Sequence, residues 1–598
     1  MPGTIYEAFR ESALRHSGKA ALRFKGDDGR YRGVSFDELD LRVTRLAASL
    51  AGLGIGKGDR VGIFAYHGCE WVTADLATLK LGAVVVPLYH TLSASAAHYI
   101  LSDAQCKLVF VEGKDLLDVV DRARPGVPSL AHVVVFDDRG IPEDRACLRF
   151  RDLIDAPRPV SRRDPDVRPA VSPDDVATIV YTSGTTGTAK GVVLTHGNIL
   201  SNAFAAVRRF HVGPQDAFLS FLPLSHMLER TCGYYAMLFA GATIAYADDL
   251  TTIVRDVQAI RPTILMVVPR IVEKIYEAVQ REVFQGPFVR RWLVLAAIRN
   301  LNQRANRLHR GQPIPLALRL KCAFYDRAVA ARFREIAGGR LRLLMSGGAP
   351  LDRKLAKALY VLGFNVLEGY GLTETSPIVC TAILGESRLG TVGKPLDGVE
   401  VRLGELDEIL VRGPNVMRGY LGKPEETAAV IDADGWFHTG DQGRFDDHGD
   451  LIITGRLKEL IVTSYGKKVP PVPIEAEIMK SGYIEHAILC GEKRTYITAL
   501  IVPHREALER YALEHGIPTA DYAGLVSTAA IRELIAGEIE RASVDLAPFE
   551  KVKAFTTLPE GFTVANELLT PTLKLRRKKV LERYRDEIDA MYATSKDG

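Results

Sequence analysis

Short apolar runs rich in β-branched residues alternate with helical patterns along much of the chain. Between residues 59 and 137 the runs are RVGIFAY, GAVVVPLY, CKLVFVEG and AHVVVFDD. The stretches between them, such as WVTADLATLKLG and SASAAHYILSDA, repeat apolar residues at intervals of three and four. The alternation returns in ATIVYTS, GATIAYAD, TILMVVP, LRLLMSGG and FNVLEGYG. This pattern predicts an α/β fold with largely parallel sheets that helices cover on both faces.

The pattern changes after Gly404, where short β-branched segments and turn residues follow one another closely. The last part of the chain predicts two strands, HAILCGE and TYITALIVP, then two helical segments and a basic tail. A small α+β domain fits this order. We therefore expect a large N-terminal domain of layered α/β sheets plus a β-subdomain over residues 1–455, and a small C-terminal α+β domain over 456–598.

Residues 271–340 combine helical periodicity with an excess of positive charge. They hold 14 Lys and Arg against 5 Asp and Glu, while the rest of the chain carries a net charge of −5. Two interpretations stay open. The segment is either a solvated helical insertion or a basic amphipathic surface for anionic lipid or a phosphate-rich ligand.

Composition narrows the class of protein. Of 598 residues, 47% are hydrophobic and 25% are charged, which is typical of globular proteins and excludes collagen, coiled coils and disordered scaffolds. A net charge of +4 gives no general attraction to nucleic acid, so we expect no nucleic-acid partner. The first 20 residues carry charges throughout, unlike a signal peptide, and no apolar run reaches the roughly 18 residues of a membrane span. Seven cysteines without zinc-site spacing favour a reducing, cytoplasmic location.

A segment rich in Gly, Ser and Thr, YTSGTTGTAKG at 181–191, directly follows the apolar strand VATIVY. Glycines let backbone N–H groups approach phosphate oxygens, hydroxyl groups add donors, and Lys190 supplies positive charge. The spacing differs from that of the P-loop, because two residues separate Gly187 from Lys190. The segment predicts a phosphate-binding loop.

This loop resembles the phosphate loop of the AMP-forming acyl-CoA synthetases, the superfamily that includes firefly luciferase and peptide-synthetase adenylation domains. Four more segments resemble motifs of that family, in its order and spacing: SGGAP at 346–350, GYGLTETSP at 369–377, TGD at 439–441 and GRLKEL at 455–460. Together they cover residues from about 30 to 580. The resemblance implies the adenylate-forming enzyme fold, whose small C-terminal domain is a mobile lid with its hinge here at Lys458.

The resemblance also implies which residues bind ATP and Mg²⁺. Glu374 and Thr185 would bind Mg²⁺, Thr373 would contact the α-phosphate, and Tyr370 would lie against the adenine. Asp441 would accept hydrogen bonds from the ribose hydroxyls. The residues implied to bind ATP or AMP are Thr182, Ser183, Gly184, Thr185, Thr186, Gly187, Lys190, Gly347, Gly348, Ala349, Glu368, Gly369, Tyr370, Gly371, Thr373, Asp441 and Arg456.

Further residues are implied to act in catalysis or in transfer to CoA. Glu374, Thr373, His226 and Lys574 are the catalytic candidates, and Lys574 would meet the substrate carboxylate and the α-phosphate together. Leu573 stands where the family commonly has a glycine before this lysine. His226 matches a pocket-wall position near the substrate carboxylate.

The glycine of SYGKKVPPVPIE has a separate role in the resemblance. Gly466 matches the position that faces the pantetheine channel of CoA, where only a missing side chain allows close approach.

The expected activity follows from the family's two half-reactions. A carboxylate attacks the α-phosphorus of ATP, which gives acyl-AMP and pyrophosphate, and a thiol then takes the acyl group and releases AMP. The segments FLPLSHMLER and ELLTPTLKLRRKKV, together with the basic insertion, resemble the long-chain fatty acyl-CoA synthetases. We therefore expect a magnesium-dependent long-chain fatty acid–CoA ligase with ATP, a fatty acid and coenzyme A as its ligands.

Several alternatives stay open. The chain could be a fatty acyl-AMP ligase that loads an acyl carrier protein, or a ligase for medium-chain or aryl acids. A catalytically silent lipid- or nucleotide-binding module is the non-enzymatic alternative. Peripheral contact with the inner face of an anionic membrane, and a homodimer, are further hypotheses.

Overall fold

The structure is a computed structural model. It describes residues 2–26, 28–155, 170–182, 189–247, 252–267, 288–309, 312–348, 351, 353–384, 388–518, 521–544, 546–563, 566–570 and 575–593. The chain divides into two compact units, of which the first holds Met1–Arg402, Val411–Phe437 and Phe445–Leu451. The second unit holds Leu403–Leu410, His438–Arg444 and Ile452–Gly598. It thus includes Leu403–Leu410, His438–Arg444 and residues 452–455, all of which the predicted boundary after residue 455 leaves in the first domain.

The first unit contains a nine-stranded sheet. Its inner strands pair in parallel, and hairpin-like antiparallel pairs occur at both ends. In spatial order its strands are Lys394–Pro395, Ile378–Thr381, Val366–Gly371, Leu343–Ser346, Ile264–Val267, Ala217–Ser220, Thr243–Tyr246, Ala20–Lys25 and Tyr31–Ser35.

The second large sheet has eight strands. Six of these strands, from Val176–Thr182 to Leu148–Arg149 in spatial order, pair in parallel with their neighbours. The strand Lys190–Thr195 pairs antiparallel with Val176–Thr182 on one side and with Gly419–Tyr420 on the other. In spatial order the strands are Gly419–Tyr420, Lys190–Thr195, Val176–Thr182, Val84–Leu88, Arg60–Phe64, Cys106–Val111, His132–Val135 and Leu148–Arg149.

The helices of the first unit pack on these sheets. The helix Cys69–Lys80 is buried along almost its whole length, while Ile5–Arg15 begins at a capping box in which Thr4 accepts a hydrogen bond from the Glu7 backbone N–H. Among the described residues of this unit, the remaining α-helices are Phe36–Gly52, Ala94–Asp103, Lys114–Ala123, Phe150–Asp155, His196–Phe210, Ala236–Phe239, Ile253–Ile260, Phe288–His309, Leu316–Tyr325, Ala331–Ile336, Arg353–Val361 and Pro424–Ala428.

The second unit is a small α+β structure. Its main sheet pairs Ile484–Cys490 antiparallel and Val552–Thr557 parallel with the central strand Ile497–Pro503. Its helices are Pro471–Ile478, Arg505–His515, Tyr522–Val526, Ala529–Ala542, Arg577–Arg583 and Arg585–Ala593, and a short ladder joins Ile461–Val462 to Lys468–Val469. A further four-stranded sheet has the order Glu400–Leu403, Glu408–Arg412, Phe437–Phe445 and Leu451–Arg456.

The predicted alternation of strands and helices is confirmed. Each apolar run quoted above before residue 371 becomes a strand of one of the two large sheets, and the intervening patterns become Cys69–Lys80 and Ala94–Asp103. The hairpin Ala20–Lys25 and Tyr31–Ser35 was missed, because charged residues interrupt its apolar positions.

Two absences concern the described residues. No helix among them is long and apolar enough to cross a membrane. All seven cysteines are described and none forms a disulfide; six are buried and Cys147 is half-buried. Burial raises the pKa of Cys69, Cys106 and Cys490 to about 12.

A buried ion pair holds three segments of the first unit together. Arg230 pairs with Asp75, and both side chains are fully buried. The Arg230 guanidinium also donates to Thr178 Oγ1 at 2.8 Å, and its carbon lies 5.3 Å from the centre of the Trp71 ring. The hydroxyl of Tyr235 donates to the other Asp75 oxygen at 2.8 Å. Every charge in this cluster therefore has a partner, as a buried ion pair requires.

We expect the R230M variant to lose about 3–5 kcal/mol of unfolding free energy, because Asp75 would stay buried without its counter-ion. The measurement is urea unfolding in a W292F/W436F background, in which Trp71 is the remaining tryptophan. The R230M/D75N double variant should be more stable than R230M, since it removes the unpaired charge. This account would be contradicted if the double variant lost as much unfolding free energy as the R230M and D75N single variants lose together.

Candidate active site

The ends of the predicted phosphate loop lie side by side. The strand Val176–Thr182 pairs antiparallel with Lys190–Thr195, and Thr182 stands opposite Lys190 at the end of that ladder. The loop residues predicted to bind phosphate or Mg²⁺, Ser183, Gly184, Thr185, Thr186 and Gly187, lie outside the described residues. Their roles stay predictions.

Tyr420 connects Lys190 to Glu374. The short strand Gly419–Tyr420 pairs with Lys190–Thr195 so that Tyr420 stands opposite Val192, and the Lys190 ammonium lies 4.9 Å from the centre of the Tyr420 ring. The Tyr420 hydroxyl donates to Glu374 Oε1 at 3.1 Å. The lysine of one motif and the carboxylate of another therefore meet on one aromatic side chain.

Acidic residues set the charge around this junction. Glu426 forms an ion pair with Lys190, and Lys423 Nζ lies 3.2 Å from the other oxygen of Glu426. The hydrogen bond from Lys190 lowers the pKa of Glu426. Burial, together with the neighbouring Glu374, raises the pKa of Tyr420 well above its usual range, so its hydroxyl stays a neutral donor. The sequence patterns did not identify Tyr420 or Glu426.

The GYGLTETSP motif forms a tight turn at the end of the strand Val366–Gly371. A 3₁₀ turn covers Thr373–Thr375, and the Thr375 hydroxyl donates to the Pro377 carbonyl at 2.7 Å. A side chain at Gly371 would place its Cβ 1.8 Å from the same carbonyl oxygen. Glycine is therefore a steric requirement at that position.

Two buried asparagines hold this turn from outside the motif. Asn202 exchanges two hydrogen bonds with the backbone of Ile378, at 2.7 and 3.1 Å. Asn415 donates to the Thr375 carbonyl at 2.9 Å. Both residues are fully enclosed, so these bonds fix the backbone that presents Thr373 and Glu374.

The SGGAP motif lies beside the start of the GYGLTETSP motif. Ser346 and Glu368 stand opposite each other in parallel strands. A Cβ at Gly347 would meet Leu228 Cδ2 at 3.0 Å, and Gly348 has a φ of +83° that favours glycine. Burial raises the pKa of Glu368 to about 7.

The other predicted residues of these motifs are placed as follows. Tyr370 pairs with Cys380, and Gly369 with Thr381, in the adjoining antiparallel ladder. Ala349 lies outside the described residues.

His226 begins the segment that leads into a π-helix at Glu229–Tyr235. It is half-buried, and its Nδ1 accepts a hydrogen bond from the Leu228 backbone N–H at 3.2 Å, which leaves the ring proton on Nε2 in the neutral tautomer.

Glu229, three residues further on, is fully buried, and its Oε1 accepts a hydrogen bond from Ser220 at 2.5 Å. Burial raises the pKa of Glu229 to about 8, so this carboxyl is neutral at physiological pH. Sequence reasoning missed it, although a glutamate inside the apolar run FLPLSHMLER is a signal.

The second unit brings Asp441 and Arg456 together. Arg456 Nε lies 2.7 Å from Asp441 Oδ1, and the carboxylate is buried. Thr439 fixes the turn, since its hydroxyl donates to the Ile409 carbonyl at 2.8 Å and accepts from the Asp441 backbone N–H at 3.1 Å. Glu408 accepts a hydrogen bond from the Gly440 backbone N–H at 2.9 Å.

The remaining predicted residues of this unit are described only in part. Gly466 has a φ of +71°, and a Cβ there would meet nothing within 4 Å. Lys458 lies in the 3₁₀ turn Leu457–Glu459, and its side chain is outside the description. Lys574 also lies outside the described residues. Leu569 and Leu575, which precede and follow Lys574 in the sequence, form an antiparallel bridge.

Glu374 is the described residue of the predicted Mg²⁺ site. Among the described residues, no group of three His, Cys, Asp or Glu side chains could hold a metal ion. Glu374 offers one carboxylate beside a hydroxyl donor, which fits Mg²⁺ because this ion is commonly held by one or two carboxylates plus substrate phosphates.

Two family descriptions match consecutive parts of the chain. The AMP-binding enzyme family matches residues 9–421, and the AMP-binding enzyme C-terminal domain matches residues 458–596. The chain belongs to the AMP-binding enzyme family. The resemblance found in the sequence motifs is thereby confirmed, as is the adenylate-forming fold.

Relatives of this AMP-binding enzyme span nearly its whole length. It is 34% identical over 571 residues to the long-chain-fatty-acid–CoA ligase FadD15 of Mycobacterium tuberculosis, covering 94% of this chain and 93% of the relative. It is 31% identical over 631 residues to the long-chain-fatty-acid–CoA ligase 1 of Homo sapiens, covering 99% and 87% of the two chains.

Solved structures share the fold of this AMP-binding enzyme. The adenylation domain of a carboxylate reductase from Mycobacterium chelonae superposes with a TM-score of 0.78 at 24% identity, covering 99% of this chain and 92% of that one. The anthranilate CoA ligase AuaEII in complex with anthranoyl-AMP superposes with a TM-score of 0.74 at 20% identity, covering 99% of each chain.

We expect the G371A variant to lose more than about tenfold in ATP affinity, because its methyl group cannot fit against Pro377 without displacing the turn. The matched control is G33A, a glycine outside the motifs whose nearest Cβ contact would be an ordinary 3.6 Å. Isothermal titration calorimetry measures both affinities. If G371A binds ATP as tightly as G33A, the turn does not position the nucleotide.

We expect the E229Q variant to remove a pH dependence of stability. The folded carboxyl has a pKa of about 8 against an ordinary value of 4.5, so its contribution is complete below about pH 4.5 and is lost as pH rises to about 8. Between those values wild-type stability should fall relative to E229Q by on the order of 1 kcal/mol per pH unit. Urea unfolding at a series of pH values measures this difference, and parallel curves would contradict a neutral Glu229.

Proposed function

We propose that the chain is an ATP-dependent long-chain fatty acid–CoA ligase. The observation that carries the proposal is the Tyr420 junction, which joins Lys190 of the predicted phosphate loop to Glu374 of the GYGLTETSP motif in a chain of the AMP-binding enzyme family. Similarity to long-chain ligases over nearly the full length supports a fatty acid as the carboxylate.

In the first half-reaction, an oxygen of the fatty carboxylate forms a bond to the α-phosphorus of ATP. The bond between that phosphorus and the bridging oxygen breaks, and pyrophosphate leaves. Both reactants are anions, so the protein acts by positioning them and compensating their charge. In the proposal, Lys190 binds phosphate oxygens, Thr373 contacts the α-phosphate, and Lys574 bridges that phosphate and the carboxylate.

Mg²⁺ would be held by Glu374 and Thr185 and would supply positive charge to the phosphates when bound. In the proposal, Asp441 binds the ribose hydroxyls and is itself oriented by Arg456 at 2.7 Å. Tyr370, Gly347 and the remaining motif residues form the adenine and phosphate contacts.

His226 is proposed to position the substrate carboxylate. Its Nδ1 accepts a hydrogen bond from the Leu228 backbone N–H, which places a ring proton on Nε2. A donor suits a fatty acid that is already ionised at neutral pH, whereas a general base would have no proton to remove.

In the second half-reaction, the thiol of CoA loses its proton to solvent and its sulfur forms a bond to the acyl carbonyl carbon. The bond from that carbon to the phosphate oxygen breaks, and AMP leaves with the bonding electron pair. In the proposal CoA is the acceptor, and Gly466, whose φ of +71° favours glycine, faces its pantetheine channel. We propose that residues 456–598 act as the lid domain and that Lys458 is the hinge about which it turns.

The proposal extends to where the enzyme works. The chain would act in the cytoplasm and take its fatty acid from an anionic membrane surface, which it would contact peripherally. A carrier-protein acceptor is the alternative to CoA, and a pyrophosphate-release assay with and without CoA distinguishes the two.

The test is pyrophosphate release with Mg-ATP and fatty acids of graded length, with and without CoA. We expect CoA-dependent turnover that is greatest for long chains. One burst of pyrophosphate that CoA cannot convert to turnover would indicate a carrier protein instead. Release with aryl or medium-chain acids alone would overturn the long-chain assignment, and no release with any acid would indicate a binding module.

Variants of the same protein test the catalytic assignments. We expect K574A to lower the rate of acyl-AMP formation by about 10²–10³-fold, by analogy with the loss of one charge-stabilising donor. The matched control is K578A/K579A, since both lysines are at least partly exposed and form surface ion pairs. A larger loss in the control than in K574A would move the catalytic role to those lysines.

A further inference from the structure

Exposed apolar side chains concentrate on two helices of the basic insertion, Phe288–His309 and Leu316–Tyr325. The described residues include 17 exposed large hydrophobic side chains, and six of them lie on these two helices. Trp292 and Phe324 are 60% and 59% exposed. We call this set the apolar ridge; its members are Trp292, Leu295, Ile298, Leu316, Leu320 and Phe324.

The ridge faces away from the protein core. In Leu316–Tyr325 the buried residues are Leu318 and Cys322, and the Cys322 thiol donates to the Asn300 carbonyl of the neighbouring helix at 3.4 Å. The three ridge residues of this helix follow one another at intervals of four and lie on another side.

The longer helix repeats this arrangement. Val294, Ala297 and Leu301 are buried in the same hydrophobic cluster as Leu318 and Cys322. The ridge residues at 292, 295 and 298 follow at intervals of three on an adjoining side, with Ile298 about 40° from Val294 around the helix at 100° per residue. Each helix thus has one apolar face that the core buries and a second apolar face that remains in water.

Basic residues flank the ridge. Arg319 and Lys321 are exposed and, at 100° per residue, lie on the two sides of the stripe formed by Leu316, Leu320 and Phe324. Arg299 is exposed on the longer helix, two turns past Trp292 and on the same side, at the C-terminal end of the stripe formed by the other ridge residues. An apolar face with cations at its margins is the pattern of an interfacial membrane helix, in which the cations remain at the level of the lipid phosphates.

We infer that the apolar ridge inserts into the headgroup boundary of an anionic lipid bilayer, with Arg299, Arg319 and Lys321 binding lipid phosphates. The inference deepens the proposed function, because it names the surface that meets the membrane. Charge decides against a second copy of this chain as the occupant, since two ridges in contact would bring their cations together. An anionic bilayer supplies both the apolar layer and the opposite charge.

Trp292 allows the insertion to be observed directly. The other two tryptophans, Trp71 and Trp436, are 1% and 7% exposed. When vesicles of phosphatidylglycerol and phosphatidylcholine are added to the full chain, we expect the emission to shift to the blue and lipids brominated near the headgroup to quench it. W292F should keep binding in co-sedimentation but lose both signals.

The affinity is then measured by co-sedimentation of ridge variants. We expect L316S/L320S/F324S to bind these vesicles at least about tenfold more weakly. The matched control is L14S/L513S, which changes two leucines that are 73% and 86% exposed outside the ridge and should bind as wild type.

The charge variant R299Q/R319Q/K321Q tests the second part of the inference. It should lose about fivefold per cation removed on anionic vesicles and little on phosphatidylcholine alone. Wild-type binding should likewise weaken as salt rises from about 50 to 500 mM.

Three results would overturn the inference: no binding by the wild type, an equal loss in L14S/L513S, or a ridge variant that only converts a dimer to a monomer in light scattering. Ligase activity with the fatty acid supplied from cyclodextrin is measured in parallel. Ridge variants should keep this activity, so failure to bind vesicles and failure of the proposed ligase are seen separately.

Discussion

The ion pair between Asp75 and Arg230 is the constraint on which the first unit depends. Neither charge has access to water, so separating them would leave an ion in the interior at a cost of several kcal/mol. Arg230 also reaches Thr178, in the strand that ends at Thr182 and leads into the predicted phosphate loop. It follows His226 by only four residues. One electrostatic contact thus positions two separate parts of the candidate site.

The site itself depends on contacts between residues far apart in the chain. Tyr420 is part of a two-residue edge strand, and the pairing of that strand with the one starting at Lys190 brings its ring to the ammonium group. The same ring carries the hydroxyl that reaches Glu374. Gly371 and Asn415 fix the backbone of the turn Thr373–Thr375, which carries Glu374. The motif residues therefore owe their geometry to neighbours outside the motifs.

This explains what the sequence could predict. The strand Val84–Leu88 is buried at every position, so its composition alone identifies it. The role of Lys190 could be predicted because the Gly, Ser and Thr residues that indicate a phosphate loop directly precede it in the sequence. Tyr420 and Glu426 could not, because their roles depend on a long-range strand pairing that no local pattern contains. The first hairpin, Ala20–Lys25 and Tyr31–Ser35, was missed because its strands are partly exposed and carry charged residues.

The burial of the cysteines has a chemical consequence for a protein that makes acyl adenylates. An acyl adenylate acylates thiolates, and a protein thiolate near it would compete with the proper acceptor. In the six buried cysteines, burial raises the thiol pKa, so each is held as the unreactive thiol. Cys69 and Cys106, for example, lie inside hydrophobic clusters of the first unit. Burial thereby keeps these six thiols from competing with the thiol of CoA for the acyl group.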